Sequence, residues 1–98
     1  MEKIVWLSKA KKDLINIYNY ISTDSKYYAM KTINEIISKT EKLAIFPQLG
    51  KKVQEVPKEE YRMLIYKSYK IIYKVESLKI YIHRVWHSAR LINNLFSK

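Results

Sequence analysis

The sequence lacks cysteine and holds a single glycine, Gly50, and two prolines, Pro47 and Pro57. Without cysteine the chain forms no disulfide and no thiolate zinc site, a composition that fits a reducing cytoplasm. One glycine is too few for the Gly-rich loop that cradles phosphates in nucleotide-binding proteins. These absences exclude disulfide-stabilised scaffolds and P-loop proteins.

Long hydrophobic runs are also missing. Residues 1–6 contain no apolar core of the length that a signal peptide needs, and no run approaches the roughly 20 apolar residues of a membrane span. We therefore expect a soluble cytoplasmic protein that does not associate with membranes. The chain has 98 residues, which leaves room for one hydrophobic core, so we predict a single domain over residues 1–98.

Acidic side chains are few: 9 Asp and Glu stand against 19 Lys and Arg, a formal net charge of +10. On so small a domain this charge creates a positive field that attracts polyanions and acidic proteins. A lysine-rich surface can also serve solubility alone. We expect an acidic or polyanionic partner, although charge by itself does not distinguish RNA, DNA and protein.

Hydrophobic periodicity in the first half predicts one strand and two helices. The apolar run Ile4–Leu7 is long enough for a strand, and Ser8 is predicted to cap the helix that follows. The segment 23–25 interrupts the helical pattern and offers caps for a second helix, which we predict to run to about Ile45 and to end before Pro47. So short a break predicts a helical hairpin.

The segment 47–60 shows neither helical nor strand periodicity. We predict a long connection here, which is either a solvated crossing or a functional loop, because long loops in compact domains are uncommon.

Three alternating apolar segments follow: Arg62–Tyr66, Tyr69–Val75 and Leu78–Trp86. They predict an antiparallel meander with reversals at Lys67-Ser68 and Glu76-Ser77.

The alternation breaks near the end of the third segment, where Arg84 occupies a position that should be apolar. A β-bulge, or a strand end that is buried on both sides, would explain this break. Leu91, Ile92 and Leu95 then predict a short C-terminal helix. The predicted fold is α+β, in the order β-α-α-β-β-β: a helical hairpin packs on a small, mainly antiparallel sheet that the N-terminal strand joins at an edge.

Spaced motifs run through nearly the whole chain in a fixed order: Asp13-Leu-x-x-Ile17-x-x-Tyr20-Ile21, Leu43-x-x-x-Pro47-x-x-Gly50, Arg62-x-Leu64 with Tyr69-x-Ile71-x-Tyr73, and Ile80-x-Ile82-x-x-Val85-x-His87-x-x-Arg90. Each fragment is weak alone, but together they resemble the RelE/ParE superfamily of toxins from bacterial type II toxin–antitoxin modules. The resemblance implies a microbial-RNase-like fold without a cofactor. It also implies a growth-inhibiting, plasmid-stabilising toxin that a cognate acidic antitoxin silences within a hetero-oligomer.

The superfamily has two branches: RelE-like toxins cleave mRNA on the ribosome, whereas ParE-like toxins are associated with poisoning of DNA gyrase. Metal-free RNA cleavage needs a base, an acid and cations for the developing charge. The position of Arg62 resembles that of a phosphate-binding arginine of the RelE-like branch, and its planar guanidinium suits a phosphate. The alternatives are an ion pair with Glu59 or Glu60, or stacking on a tyrosine. Lys51 and Lys52 lie where RelE-like enzymes carry functional lysines.

The C-terminal end departs from the RelE pattern. Ser88 stands where a catalytic arginine is expected, and Asn94 lies near the place of a C-terminal tyrosine. His87 can act as a general acid or base near neutral pH, or as a structural hydrogen-bonding residue. The element formed by His87 and Arg90 occurs in ParE-like chains without the full nuclease set.

We therefore predict a ParE-like toxin that acts through DNA gyrase, with a RelE-like, ribosome-dependent mRNA endoribonuclease as the alternative. A nuclease would use Arg62 and His87 as catalytic residues. The cations predicted to bind a polyanion or the target are Lys51, Lys52, Arg62, Arg84 and Arg90. No metal site is expected, because the spacing of His83 and His87 on a strand does not make the two-histidine face of a helix.

Overall fold

The computed structural model describes residues 3–54 and 60–87. The elements, in chain order, are β1 (Lys3–Trp6), α1 (Ser8–Ser22), α2 (Lys26–Glu41), a 3₁₀ turn (Lys42–Ala44), β2 (Lys51–Lys52), β3 (Tyr61–Tyr66), β4 (Tyr69–Glu76) and β5 (Lys79–His87). The strands form one five-stranded sheet in the order β1-β5-β4-β3-β2. The predicted α+β fold, with its helical hairpin on a mainly antiparallel sheet, is confirmed.

The N-terminal strand lies at one edge of the sheet, as predicted. It runs parallel to β5, with Lys3 opposite Lys79, whereas all other strand pairs are antiparallel. At the opposite edge, the prediction that residues 47–60 contain no regular structure is wrong. There the two-residue strand β2 pairs with Met63 and Arg62 of β3. A strand this short has no periodicity that a sequence pattern can reveal.

The two helices begin differently. The predicted capping role of Ser8 is wrong, because Leu7 holds the N-cap position in an extended conformation and Ser8 is already helical. The Leu7 N–H donates to the Ile82 carbonyl at 3.1 Å, so the chain passes from the sheet directly into α1. The caps predicted before α2 are confirmed at Ser25, whose side chain accepts from the Tyr28 N–H.

The second helix ends earlier than the predicted Ile45. Its α-helical part stops at Glu41 and tightens into the 3₁₀ turn, which ends at Ala44.

The main core lies between the helices and one face of the sheet, which we call the helix face. Its members come from both helices, from the 3₁₀ turn and from the three long strands: Ala10, Ile36, Leu43, Leu64, Ile71, Tyr73, Ile80, Ile82 and Val85. A second, small cluster of Val53 and Ile72 lies on the opposite face. Strand β4 is therefore buried on both faces, which fixes its position in the middle of the sheet.

The predicted break in β5 is a β-bulge. The register between β4 and β5 shifts between Ile72 and Tyr73, which pair with Arg84 and Ile82, so that His83 is the extra residue. The bulge returns Val85 to the core after Arg84 has interrupted the alternation.

The turn before β5 also differs from the prediction. Leu78, predicted as the first residue of the third strand of the meander, lies instead in the turn and is 78% exposed. Ser77 and Leu78 have φ angles of 49° and 62°, the positive values that a type I′ hairpin requires at both central residues. The reversal thus occurs one residue later than predicted.

No helix among residues 3–54 and 60–87 is long and apolar enough to cross a membrane. The predicted C-terminal helix lies outside the described residues.

Candidate functional site

Arg62 lies half-buried at the start of β3, with its side chain beside the connection that leads into β2. Its Nη1 donates to the carbonyl oxygen of Gly50 at 2.7 Å. Within the described residues no carboxylate lies within ion-pair distance of Arg62, Glu60 included. The other predicted partner, Glu59, is outside those residues. The guanidinium is therefore held by a neutral backbone oxygen and forms no ion pair with a described acid.

Tyr73 fixes the same connection through its hydroxyl group. Its hydroxyl donates to the Pro47 carbonyl and accepts from the Gly50 N–H, both at 2.8 Å. Burial raises the pKa of the Tyr73 hydroxyl, while the Gly50 bond and the charge of Arg62 oppose that change only partly. The hydroxyl therefore stays protonated at neutral pH and keeps its role as a donor.

The single glycine stands where the chain approaches the sheet most closely. A Cβ added to Gly50 would lie 2.6 Å from the Met63 carbonyl oxygen and 2.7 Å from the ring and hydroxyl of Tyr73. Such contacts are not tolerated, so a close approach, rather than an unusual φ angle, requires glycine here. Tyr73 is a member of the main core and also anchors this connection.

The connection carries three large apolar side chains at its surface. Ile45, Phe46 and Leu49 are 60%, 62% and 49% exposed, respectively. They line a groove of about 620 Å³ together with Glu60 and Arg62. We call residues 45–49 the apolar turn. This surface was not predicted, because the helical periodicity continues to Ile45. Three large apolar residues before a lone glycine are nevertheless a visible signal.

Lys51 and Lys52 are both exposed and form β2. Lys52 is opposite Arg62 and Lys51 is opposite Met63. Because directly paired residues of antiparallel strands share a face, Lys52 projects on the side of Arg62 and Lys51 on the other. Of the two predicted lysines, Lys52 alone is thus placed beside Arg62.

Arg84 is held by an acid from α1. Its Nε and Nη2 donate to the two oxygens of Asp13 at 2.8 and 2.9 Å, and the same carboxylate accepts from the Val85 N–H at 2.9 Å. Strand β1 pairs with β5 only as far as Ile82, so Asp13 takes the place of a strand partner beyond that point. The bonds to Asp13 raise the pKa of Arg84. We call Asp13, Arg84 and Val85 the carboxylate clasp.

His87 is the last residue of β5 and is exposed. Its ring makes an edge-to-face contact with Tyr69, with 5.8 Å between centroids. A groove of about 550 Å³ lies beside it, lined from α1 by residues that include Asn16 and Tyr20. Arg90, predicted to act with His87, lies outside the described residues.

His83, the bulged residue, is half-buried and packs edge-to-face on Tyr61 at 4.9 Å. Burial, assisted by the charge of Lys74, lowers the pKa of His83. Within the described residues no group of three or more His, Cys, Asp or Glu side chains is placed to hold a metal ion.

Arg62 and His87, the two predicted catalytic residues, are not brought together. Arg62 is opposite Tyr73, and His87 is opposite Tyr69, four residues away along β4. At about 3.3 Å per residue and about 4.8 Å between strands, their backbones are about 16 Å apart. The two side chains therefore start from well-separated positions on the sheet and do not form one compact cluster.

Comparisons with known proteins agree with this architecture. Residues 4–92 match the family model described as the ParE toxin of the type II toxin–antitoxin system parDE. Among solved structures, the chain is similar to the chromosomal ParDE TA system from P. aeruginosa, with 25% sequence identity, coverage of 89% of this chain and 96% of that chain, and a TM-score of 0.76. None of the curated proteins matches the chain significantly.

The two-layer fold and the family match over most of the chain define a toxin of the type II toxin–antitoxin class. Within that class, the chain belongs to the ParE toxin family.

Proposed function

We propose that this chain arrests bacterial growth by acting on DNA gyrase, and that a cognate acidic antitoxin neutralises it in a toxin–antitoxin hetero-oligomer. The observation that carries the proposal is the ParE family match over residues 4–92. The structural neighbour, a ParDE system, supports the presence of an antitoxin partner. The net charge of +10 gives an acidic partner an electrostatic advantage in association.

The positions of the predicted catalytic residues favour gyrase over RNA cleavage. A metal-free nuclease needs its general acid, its general base and its cations around one phosphate. The estimated separation of about 16 Å between Arg62 and His87 does not provide that arrangement, and Ser88 replaces the arginine that the RelE pattern expects.

The test is tightly controlled expression in a bacterial host, followed by assays of the purified protein. We expect expression of the chain alone to reduce viable counts. We also expect the adjacent reading frame to encode a small acidic protein whose co-expression restores them. The purified protein should inhibit gyrase supercoiling and leave a coupled translation extract unaffected. Intact supercoiling together with arrested translation would contradict the gyrase proposal.

The RelE-like alternative has one observation in its favour, since Lys52 and Arg62 share a face at the start of β3. Two adjacent cations can bind a phosphate. If the protein cleaves mRNA, Arg62→Ala should abolish cleavage in the translation extract while the circular dichroism spectrum stays unchanged. Toxicity that survives in this variant would exclude the nuclease.

A further inference from the structure

The apolar turn exposes more hydrophobic surface than a solvated connection requires. Ile45, Phe46 and Leu49, within five residues of chain, are each about half or more exposed. Single exposed apolar residues are ordinary on protein surfaces, but several clustered around one groove mark an interaction site.

Hydrogen bonds within the chain hold the backbone of the apolar turn in one conformation. The N–H groups of Ile45 and Phe46 both donate to the Lys42 carbonyl, at 3.2 and 2.9 Å, and the Leu49 N–H donates to the Phe46 carbonyl at 3.0 Å. The hydroxyl of Tyr73 ties down the carbonyl of Pro47 in the same stretch. A partner that docks here does not have to order the backbone, which lowers the entropic cost of binding.

The charges around the apolar turn indicate what the partner carries. Arg62 lines the groove and has no carboxylate partner among the described residues. Lys42 and Lys52, which flank the turn in sequence, are exposed. Glu60 is the only acid that lines this groove in the described part of the chain. A second copy of a chain with net charge +10 is a poor occupant, because like charges would face each other.

We propose that the apolar turn and Arg62 form a docking site for an acidic segment of the antitoxin, whose apolar side chains pack on Ile45, Phe46 and Leu49 while a carboxylate binds Arg62. This proposal rests on the proposed function, because it assumes that an antitoxin neutralises the chain. Amphipathic acidic segments use this combination of apolar anchors and charge, and a planar guanidinium binds a carboxylate through two parallel hydrogen bonds.

The first test is a titration of the purified protein with a fluorescent 14-residue peptide in which leucines recur every three or four residues among glutamates. We expect saturable binding, weakened at least tenfold by Phe46→Ser or by Arg62→Gln. The matched control is Ile65→Thr, which removes a similarly exposed apolar side chain from the far end of β3, opposite Lys70, and should change the Kd less than twofold. A peptide with lysine in place of glutamate should not bind.

The second test uses growth. Cells that express Phe46→Ser should remain arrested when the adjacent acidic protein is co-expressed at a level that rescues the wild-type chain. Equal rescue of both chains would overturn the docking site but leave the proposed function intact.

Three further results would also overturn the docking site. One is the absence of peptide binding, and another is a loss of toxicity in Phe46→Ser with peptide binding preserved. The third is a homodimer, detected by sedimentation, that Phe46→Ser dissociates. If the wild-type chain does not arrest growth at all, the proposed function fails instead, and the peptide titration still tests the surface.

Discussion

Two strand arginines, both half-buried, have opposite electrostatic surroundings. Arg84 in the carboxylate clasp makes a two-bond ion pair with Asp13, whereas Arg62 beside the apolar turn donates to the neutral carbonyl of Gly50. The first charge is paired within the fold, and the second forms no ion pair with any described acid. An arginine of the first kind stabilises the domain, while one of the second kind is able to bind an external anion.

This difference alters the list of cations expected to bind a partner. Both Arg62 and Arg84 were predicted from the sequence to bind a polyanion or the target. Arg84 has a structural role in the carboxylate clasp. Its partner Asp13 also accepts the hydrogen bond of the Val85 N–H, beyond the point where β1 stops pairing with β5. Arg62, with Lys52 on the same face, is then the stronger candidate for contact with a partner.

The largest expected effect comes from making the same substitution at both arginines. Arg84→Gln removes a two-bond ion pair and leaves the largely buried carboxylate of Asp13 without its cation, which should cost about 3 kcal/mol of the free energy of unfolding. Arg62→Gln removes one hydrogen bond and should cost about 1 kcal/mol. Urea unfolding measures both values, and equal losses would contradict the contrast between the two sites.

A smaller effect is expected at Gly50, where the close approach to Met63 and Tyr73 leaves no room for a methyl group. Gly50→Ala should destabilise the protein by about 2 kcal/mol, because backbone and a buried ring must shift. The control is Ser68→Ala in the exposed β3–β4 turn, which should change stability by less than about 0.5 kcal/mol. If both variants unfold at the same urea concentration, the apolar turn is not held as tightly as its hydrogen bonds indicate.

The smallest expected effect is a pH dependence of stability that comes from His83, the residue before Arg84 of the carboxylate clasp. His83 has a lowered pKa in the folded protein, so the unfolded chain binds a proton more readily than the native state does. Stability contributed by His83 is therefore present above its unfolded pKa of 6.5 and is lost as the pH falls through the folded value. Urea unfolding between pH 7.5 and 5 measures this loss of stability. In His83→Gln the free energy of unfolding should fall less over this pH range than in the wild-type chain. If the free energy of unfolding depends on pH equally in both chains, the effect comes from other titratable groups.

Local patterns predicted the elements of this fold, because each one carries its own signal. The two helices follow from apolar periodicity, the Ser25 cap from its side chain, and the bulge from the position of Arg84. Strand β2 has no such signal, since two residues contain no period. Leu78 was misplaced because nothing local distinguishes an apolar turn residue from the first residue of a strand.

The contacts that define the candidate site are long-range, and this is why sequence analysis missed them. Asp13 and Arg84 are 71 residues apart, and the Tyr73 hydroxyl reaches back 26 residues to Pro47. Nothing in the neighbouring residues indicates which carboxylate will pair with Arg84, or that Tyr73 has a polar role. The packing of α1 against β5 and of the apolar turn against β4 brings these groups together.

The measurement that tests the contrast most directly is NMR of the arginine side chains during titration with the acidic peptide. The sequence holds only three arginines, Arg62, Arg84 and Arg90, so their Nε–Hε signals can be assigned by substitution. We predict that the Arg62 signal shifts on binding, while that of Arg84 stays in place because Asp13 retains it. A shift of Arg84 with an unchanged Arg62 would contradict the assignment of the two arginines.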